Sequence, residues 1–192
     1  MIVLVLPDIP VEDELLAKAR RGDQEAIMHI YDSYFQPIYQ FVRLRVGDSS
    51  LAEDIASEVF LKFVDSLGKP SAPRKTLRGW LFRVARHEIH HHYKKSAKLP
   101  TTTLDEWLPD SGDESDPEVQ FIQTLNVERA RHALRMLAPD QQEVLVLRFG
   151  QQLDLQETAD VMGKTISAIK SLQFRAVNTL REILGEMRPS HG

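Results

Sequence analysis

The chain has 192 residues, a length that suits one ordinary domain or two small helical ones. It contains no cysteine, which excludes disulfides, thiolate metal ligands and cysteine nucleophiles, and no apolar run approaches the ~20 residues that a membrane span needs. With a formal net charge of -4 and 42% hydrophobic residues, it reads as a soluble protein with cytoplasmic residence expected, and no cofactor or metal is anticipated.

The opening MIVLVLPDIP carries an apolar patch but no basic flank and no small-residue cleavage site, so it is not read as a secretory signal. Helical periodicity follows almost throughout. Leu15, Leu16 and Ala19 predict a short first helix ending near Gly22. A long second helix starts after Asp23 and carries Ile27, Ile30, Tyr31, Tyr34, Ile38, Phe41, Val42 and Leu44 to Val46, with Pro37 predicting a kink or break. Ser50 with Glu53 reads as a capping box for a third helix presenting Ile55, Val59, Phe60, Phe63 and Val64. The stretch GKPSAPRK is too rich in Gly and Pro for a helix. A fourth helix is expected from near Thr76 to about Lys95, with Trp80, Leu81, Val84 and Ala85 inward.

Residues 99–117 lose apolar periodicity and read as a linker of about twenty residues, longer than a compact domain usually tolerates. Beyond Pro117 one helix carries Phe121, Leu125, Val127, Ala130, Leu134 and Leu137. Another opens at Pro139, carries Val144, Leu145, Leu147 and Phe149, and closes at Gly150. Leu153 to Leu184 then spells a helix-turn-helix: Leu155, Ala159 and Val161 line one helix, Gly163 supplies the turn, and Ile166, Ile169, Leu172 and Val177 recur on the second. The expected fold is all-α, with helical domains at 1–98 and 118–192 joined by a flexible acidic linker at 99–117, the second domain a helix-turn-helix.

Charge is segregated along the chain. Arg74, Lys75, Arg78, Arg83, Arg86, Lys94, Lys95 and Lys98 face a single acid, Glu88, whereas Thr101 to Gln120 holds Asp105, Glu106, Asp110, Asp113, Glu114, Asp116 and Glu118 with no Lys or Arg. Such a chain alone should bind duplex DNA poorly, because few phosphates can be neutralised without an acidic segment coming along. A partner that presents it is therefore expected.

Three groups of residues suggest chemistry. On the last helix Thr165, Ser167, Ala168, Lys170, Ser171, Phe174 and Arg175 fall at or near the outer face, and supply the short polar groups, aromatic edge and cations suited to a major groove. On the third helix Glu53, Asp54, Glu58 and Asp65 lie beside Phe60 and Phe63, which suits a basic, partly apolar partner helix. The loop Lys69 to Lys75 and the fourth helix offer Arg74, Lys75, Arg78, Arg83 and Arg86 to a nucleic-acid backbone. Trp80, at its helical position, is read as core rather than as a base-stacking platform.

The order AEDIASEVFLKFVDSL, a Pro/Arg loop, RGWLFRVARHEIHHHYKK, an acidic linker, LAPDQQEVLVLRFGQQLDLQETADVMG and IKSLQFRAVNTL resembles a bacterial sigma factor of the extracytoplasmic-function type over about residues 12–185. The resemblance implies a non-catalytic specificity subunit that binds core RNA polymerase and promoter DNA, with an anti-sigma factor as a further candidate partner. It implies docking on the polymerase beta-prime clamp helices through Glu53, Asp54, Glu58 and Phe60. Minus-ten DNA would meet Arg74, Lys75, Arg78, Arg83, Arg86, His87, His91, Lys94 and Lys95. Minus-thirty-five DNA would meet Thr165, Ser167, Lys170, Ser171, Phe174 and Arg175. It also implies that the linker threads toward the polymerase active-site cleft. The chain departs from the family pattern at Ser57, His87 and His91, where relatives usually carry Gln, Asn and Asp.

Two other functions fit parts of the sequence. A stand-alone helix-turn-helix regulator would bind duplex operator DNA as a symmetric dimer. His87-Glu88-Ile89-His90-His91 satisfies the H-E-x-x-H zinc-hydrolase pattern on a helix, but Lys94 and Ala97 stand where the extended form needs Gly and His. A linker Glu such as Glu106 or Glu114 would be a poorly fixed third ligand. Protonation of His87, His90, His91 and His92 as pH falls would add positive charge toward phosphate.

Overall fold

The computed structural model describes residues 9–73, 76–96 and 132–186, and among these every regular element is helical. The chain divides into two compact units. The first holds α1 (Ile9–Arg20), α2 (Gln24–Arg43), α3 (Ser49–Ser66) and α4 (Leu77–Ser96); the second holds α5 (Pro139–Leu145), α6 (Leu155–Met162) as far as Ala159, and α7 (Ile166–Glu186). The linker at 99–117, residues 118–131 of the helix expected after Pro117, and Arg74 and Lys75 lie outside the described residues, while 132–135 are helical.

In the first unit each helix turns one apolar stripe inward. Leu16 and Ala19 of α1, Ile30, Tyr34, Ile38 and Phe41 of α2, Ala52, Val59 and Phe63 of α3, and Leu77, Leu81, Phe82 and Ala85 of α4 form its core. Aromatic pairs lock the helices together: Phe41 of α2 meets Phe82 of α4 edge-on at 5.3 Å, and Phe63 of α3 meets Trp80 of α4 at 6.1 Å. Trp80 is buried and its indole N–H donates to the Ser71 carbonyl at 3.0 Å, so it is a core residue. Pro37 neither ends nor splits α2. It is itself buried on the same helix as buried Tyr34, Ile38 and Phe41, and α2 continues past the one hydrogen bond that a proline cannot donate.

The start of α3 differs from the expected capping box. Ser49 and Ser50 already lie inside the helix, and the cap is Asp48, whose carboxylate accepts from the Leu51 N–H at 2.8 Å. Val64, expected inward, is 48% exposed.

In the second unit α5 opens with Pro139 at its first turn and widens at Val146–Gly150 into a π-turn. The π-turn is fixed by Arg148, whose Nε donates to Gln173 Oε1 of α7 at 2.9 Å and whose guanidinium also donates to the Leu153 carbonyl. A reciprocal capping box then starts α6: the Glu157 N–H donates to Asp154 at 2.7 Å and the Asp154 N–H to Glu157 at 2.9 Å. Gly163 ends α6 in the left-handed region at φ 65°, where a Cβ would be strained. Ile169, Leu172, Ala176, Val177 and Leu180 form the inner stripe of α7. Ile166 and Leu155, expected inside, are exposed and half-buried respectively, because each stands at the first residue of its helix.

Replacing Asp48 by Ala is expected to cost about 1 kcal/mol, the usual worth of an N-cap. Ser50→Ala should cost less than about 0.5 kcal/mol, as for surface substitutions generally. Urea unfolding of the full chain followed by circular dichroism checks both.

Candidate nucleic-acid and partner interfaces

Once the core stripes are packed, α3, α4 and α7 each present a second stripe outward. On α4 this stripe is Arg83, His87, His90, His91 and Lys94, all exposed, with Arg83, His87, His91 and Lys94 three or four residues apart and His90 beside His91. It runs for roughly 16 Å at helical rise, carries cations and imidazoles, and leaves Glu88 at its margin. His87 and His91 lie one turn apart with nearly parallel rings, 6.5 Å between centroids. Arg86 is half-buried and the Lys95 side chain lies outside the described residues. At the start of the helix, a cleft of about 310 Å³ is lined by Arg20, Gly68, Lys69, Pro70 and Ala72.

Arg78 does not belong to this stripe. It is buried, with Nε 2.8 Å from the Glu12 carboxylate of α1, and this corrects its assignment as a phosphate contact. A guanidinium desolvated beside a buried carboxylate is held there by both charge and geometry. Glu12 also accepts from the Tyr34 hydroxyl at 2.6 Å and from the backbone N–H groups of Leu77 and Arg78 at 2.6 and 3.0 Å. Burial, and then the neighbouring Glu12 carboxylate, push the Tyr34 hydroxyl far above its ordinary range, so it remains a donor.

The outward stripe of α3 is Asp54, Glu58, Leu61, Val64 and Asp65, with Glu53 beside it. Leu61 is 65% exposed, the largest value among the exposed large hydrophobic side chains of the described residues. Phe60 instead turns inward, edge-on to Tyr31 at 5.0 Å and beside Phe35 at 6.0 Å. Its assignment as a partner contact is corrected accordingly, since the ring completes the α2–α3 seam. Leu61 was not singled out from sequence, yet its spacing of i+3 from Glu58 and i+7 from Asp54 places it on the acidic face.

Glu88, the general base of the hydrolase pattern, is engaged elsewhere. Lys62 of α3 lies 2.6 Å from it and His87 Nδ1 3.0 Å from it, and Lys62 also reaches Glu58 at 3.6 Å. Among the described residues no three His, Asp or Glu side chains gather as a metal cage. Partial burial opposes ionisation of Glu88, but the Lys62 ammonium and the His87 ring outweigh it and hold the carboxyl below its usual range.

On α7 Ser167, Ala168, Lys170, Ser171, Phe174 and Arg175 are all exposed, Phe174 by 58%. Thr165 is exposed as well, but its hydroxyl caps α7 by accepting from the Ala168 N–H at 3.1 Å. The Arg175 guanidinium lies over the helix, with Nε donating to the Ser171 carbonyl at 3.3 Å.

Comparison with known proteins matches residues 30–99 to Sigma-70 region 2 and residues 133–182 to Sigma-70, region 4. The chain is 30% identical over 169 residues to the ECF RNA polymerase sigma factor SigX of Bacillus subtilis, covering 86% of this chain and 87% of that protein. The chain belongs to the ECF sigma factors. Another relative is the ECF sigma factor BldN of Streptomyces coelicolor, 37% identical over 171 residues, or 89% of this chain; the match spans 65% of BldN. Among solved structures, CnrH in complex with the cytosolic domain of CnrY matches with a TM-score of 0.63 at 19% identity, covering 93% of this chain and 99% of that one. The sigma factor RpoE of Bartonella quintana, solved with the anti-sigma factor NepR, matches with a TM-score of 0.60 at 21% identity, covering 84% and 98%. These two likenesses show the fold. No described helix of this sigma factor is long and apolar enough to cross a membrane.

The Glu88 ion pairs give this sigma factor an acid-sensitive component of stability. A folded pKa below the reference of 4.5 means the component is fully present above that pH and is lost as pH falls through the lower folded value. Lys62→Met is expected to lower the melting midpoint near neutral pH, and the deficit should shrink as pH is taken below 4.5. Calorimetry of both proteins across this range checks it.

Proposed function

We propose that this ECF sigma factor acts in the cytoplasm as a non-catalytic promoter-specificity subunit, with one outward stripe for each of three tasks. The acidic and apolar stripe of α3 docks on the beta-prime clamp helices of core polymerase: Asp54 and Glu58 meet basic groups, and Leu61 and Val64 supply the apolar anchor. The stripe of α4, with the loop Lys69 to Lys75 before it, holds melted minus-ten DNA. Arg83, Arg86, Lys94 and Lys95 neutralise phosphates, and His87 and His91 face the bases. Extruding bases costs a few kcal/mol per step, and a run of cations beside stackable imidazoles offsets part of that cost.

The stripe of α7 enters the major groove at the minus-thirty-five element. Lys170 and Arg175 meet phosphates or guanine edges, Ser167 and Ser171 offer short hydrogen-bonding groups, and Phe174 meets a thymine methyl. The observation that carries the reading is the outward placement of three chemically distinct stripes on three helices whose opposite faces are committed to cores. The residues 1–98 and 118–192 act as the two working domains, with 99–117 as an acidic tether into a basic channel of the enzyme. An anti-sigma factor that covers the α3 stripe would compete directly with polymerase.

Leu61→Asp is expected to weaken core-polymerase binding about tenfold, the loss of one interface anchor worth roughly 1.4 kcal/mol, with the helix content unchanged; fluorescence anisotropy with purified core measures it. Unaltered affinity would remove α3 from the docking surface. Arg175→Ala should reduce run-off transcription from all cognate promoters and lower the salt dependence of holoenzyme–promoter binding by about one charge. Normal output and an unchanged slope would contradict its role.

A further inference from the structure

We infer that α1 is a positioning element for promoter opening, acting through two residues, Glu12 and Arg20, that hold the chain on either side of the entrance to α4. Glu12 is buried at the first turn of α4 and accepts from two backbone N–H groups there, those of Leu77 and Arg78, as well as from the Arg78 guanidinium. It is a helix cap supplied from a helix 65 residues earlier in the chain. Arg20, at the other end of α1, donates to the carbonyl of Pro73 and lines the cleft with Gly68, Lys69, Pro70 and Ala72. Arg20 lies eight positions after Glu12, about 12 Å along a rigid helix. One stiff spar thus grips the α3–α4 connection at Pro73 and again at Leu77, and the cations Arg74 and Lys75 fall between the two grips in sequence.

The consequence lies in preorganisation. The connection is short and contains Gly68, at φ 80°, and two prolines. Left to itself it would have to be ordered when single-stranded DNA is captured, and that ordering would weaken binding. Held by α1, its described part already forms a cleft with Lys69 and Arg20 at the wall. Glu12 fixes the axial start of α4, and with it the register of Arg83, His87 and His91 along the outward stripe. Neither Glu12 nor Arg20 needs to touch DNA for this; both are positioning residues. Sequence alone marks neither, because each acts on residues more than fifty positions away.

The inference rests on the reading of the α3–α4 loop and α4 as the minus-ten surface, and holoenzyme on a cognate promoter tests the two separately. Arg20 is exposed, so Arg20→Ala leaves the core intact and is the primary variant; Glu12→Gln is the second. Opening is followed by 2-aminopurine fluorescence in the minus-ten element, and core affinity by anisotropy. Arg20→Ala is expected to slow opening about tenfold while core affinity and melting midpoint stay unchanged, and Arg20→Lys, which can still donate to Pro73, should recover much of the rate. Glu12→Gln, which leaves the buried Arg78 guanidinium without its counter-charge, should lower the melting midpoint and slow opening while core affinity stays unchanged. Wild-type holoenzyme that binds but never opens the element would overturn the minus-ten reading and the inference with it. Wild-type opening matched by equal opening with Arg20→Ala, or a loss of core affinity in step with opening, would overturn the inference alone.

Discussion

The first unit is organised around a carboxylate that has no access to water. Glu12 is enclosed by α1, α2 and α4, and each of its oxygens has two donors: Leu77 and Arg78 N–H on one, Tyr34 hydroxyl and Arg78 Nε on the other. Desolvating a carboxylate and a guanidinium costs several kcal/mol each in real proteins, and the cost is offset only because every lone pair finds a donor and the positive end of α4 lies against the anion. Such a group contributes more to register than to net stability. An apolar substitute could fill the space, yet it would not specify which turn of α4 meets α1. The direction of the α4 stripe, and therefore any work that stripe performs, depends on this arrangement.

A comparable constraint governs the second unit. The direction of α7 is determined by three local devices in succession: the π-turn held by Arg148, the Asp154–Glu157 capping box and the left-handed Gly163. Arg148 also reaches Gln173, the residue immediately before Phe174, so the turn and the outward stripe of α7 are coupled through one hydrogen bond. The Lys164–Asp140 ion pair at 3.0 Å joins the start of α5 to the turn of the helix-turn-helix. Packed against the opposite face, α7 has its apolar residues committed and its polar and aromatic ones displayed.

A chain of net charge -4 can serve DNA because its charges are separated in space as well as in sequence. Acids cluster on the outer face of α3, cations and imidazoles on α4. Where the two helices meet, Lys62 pairs with Glu88 across the seam, so a lysine of the acidic helix supports the lone acid of the basic one. The short pattern that suggested zinc hydrolysis is part of this ion-pair seam.

The sequence by itself determined the helices among the described residues, their approximate limits, the helix-turn-helix and the family. These follow from local rules, namely apolar spacing of three and four residues, Gly after a helix, and motif order, and such rules act within a few residues of each position. Which face of each helix is buried could be read as a stripe, and for α7 the outward residues from Ser167 to Arg175 stand as the spacing predicts. Individual positions at the edge of a stripe could not be assigned this way. Arg78 looked like one cation among eight, Phe60 like a surface anchor, Val64 like core, and Ser50 like a cap. Their fates were decided by Glu12, by Tyr31 and Phe35, by an open α3 face and by Asp48 respectively. The partners of Arg78 and Phe60 come from other elements, and only tertiary packing brings a carboxylate 66 residues away against a guanidinium. Burial is a property of the assembled neighbourhood, so chain-local periodicity stops short of it where a residue lies on the boundary between core and solvent.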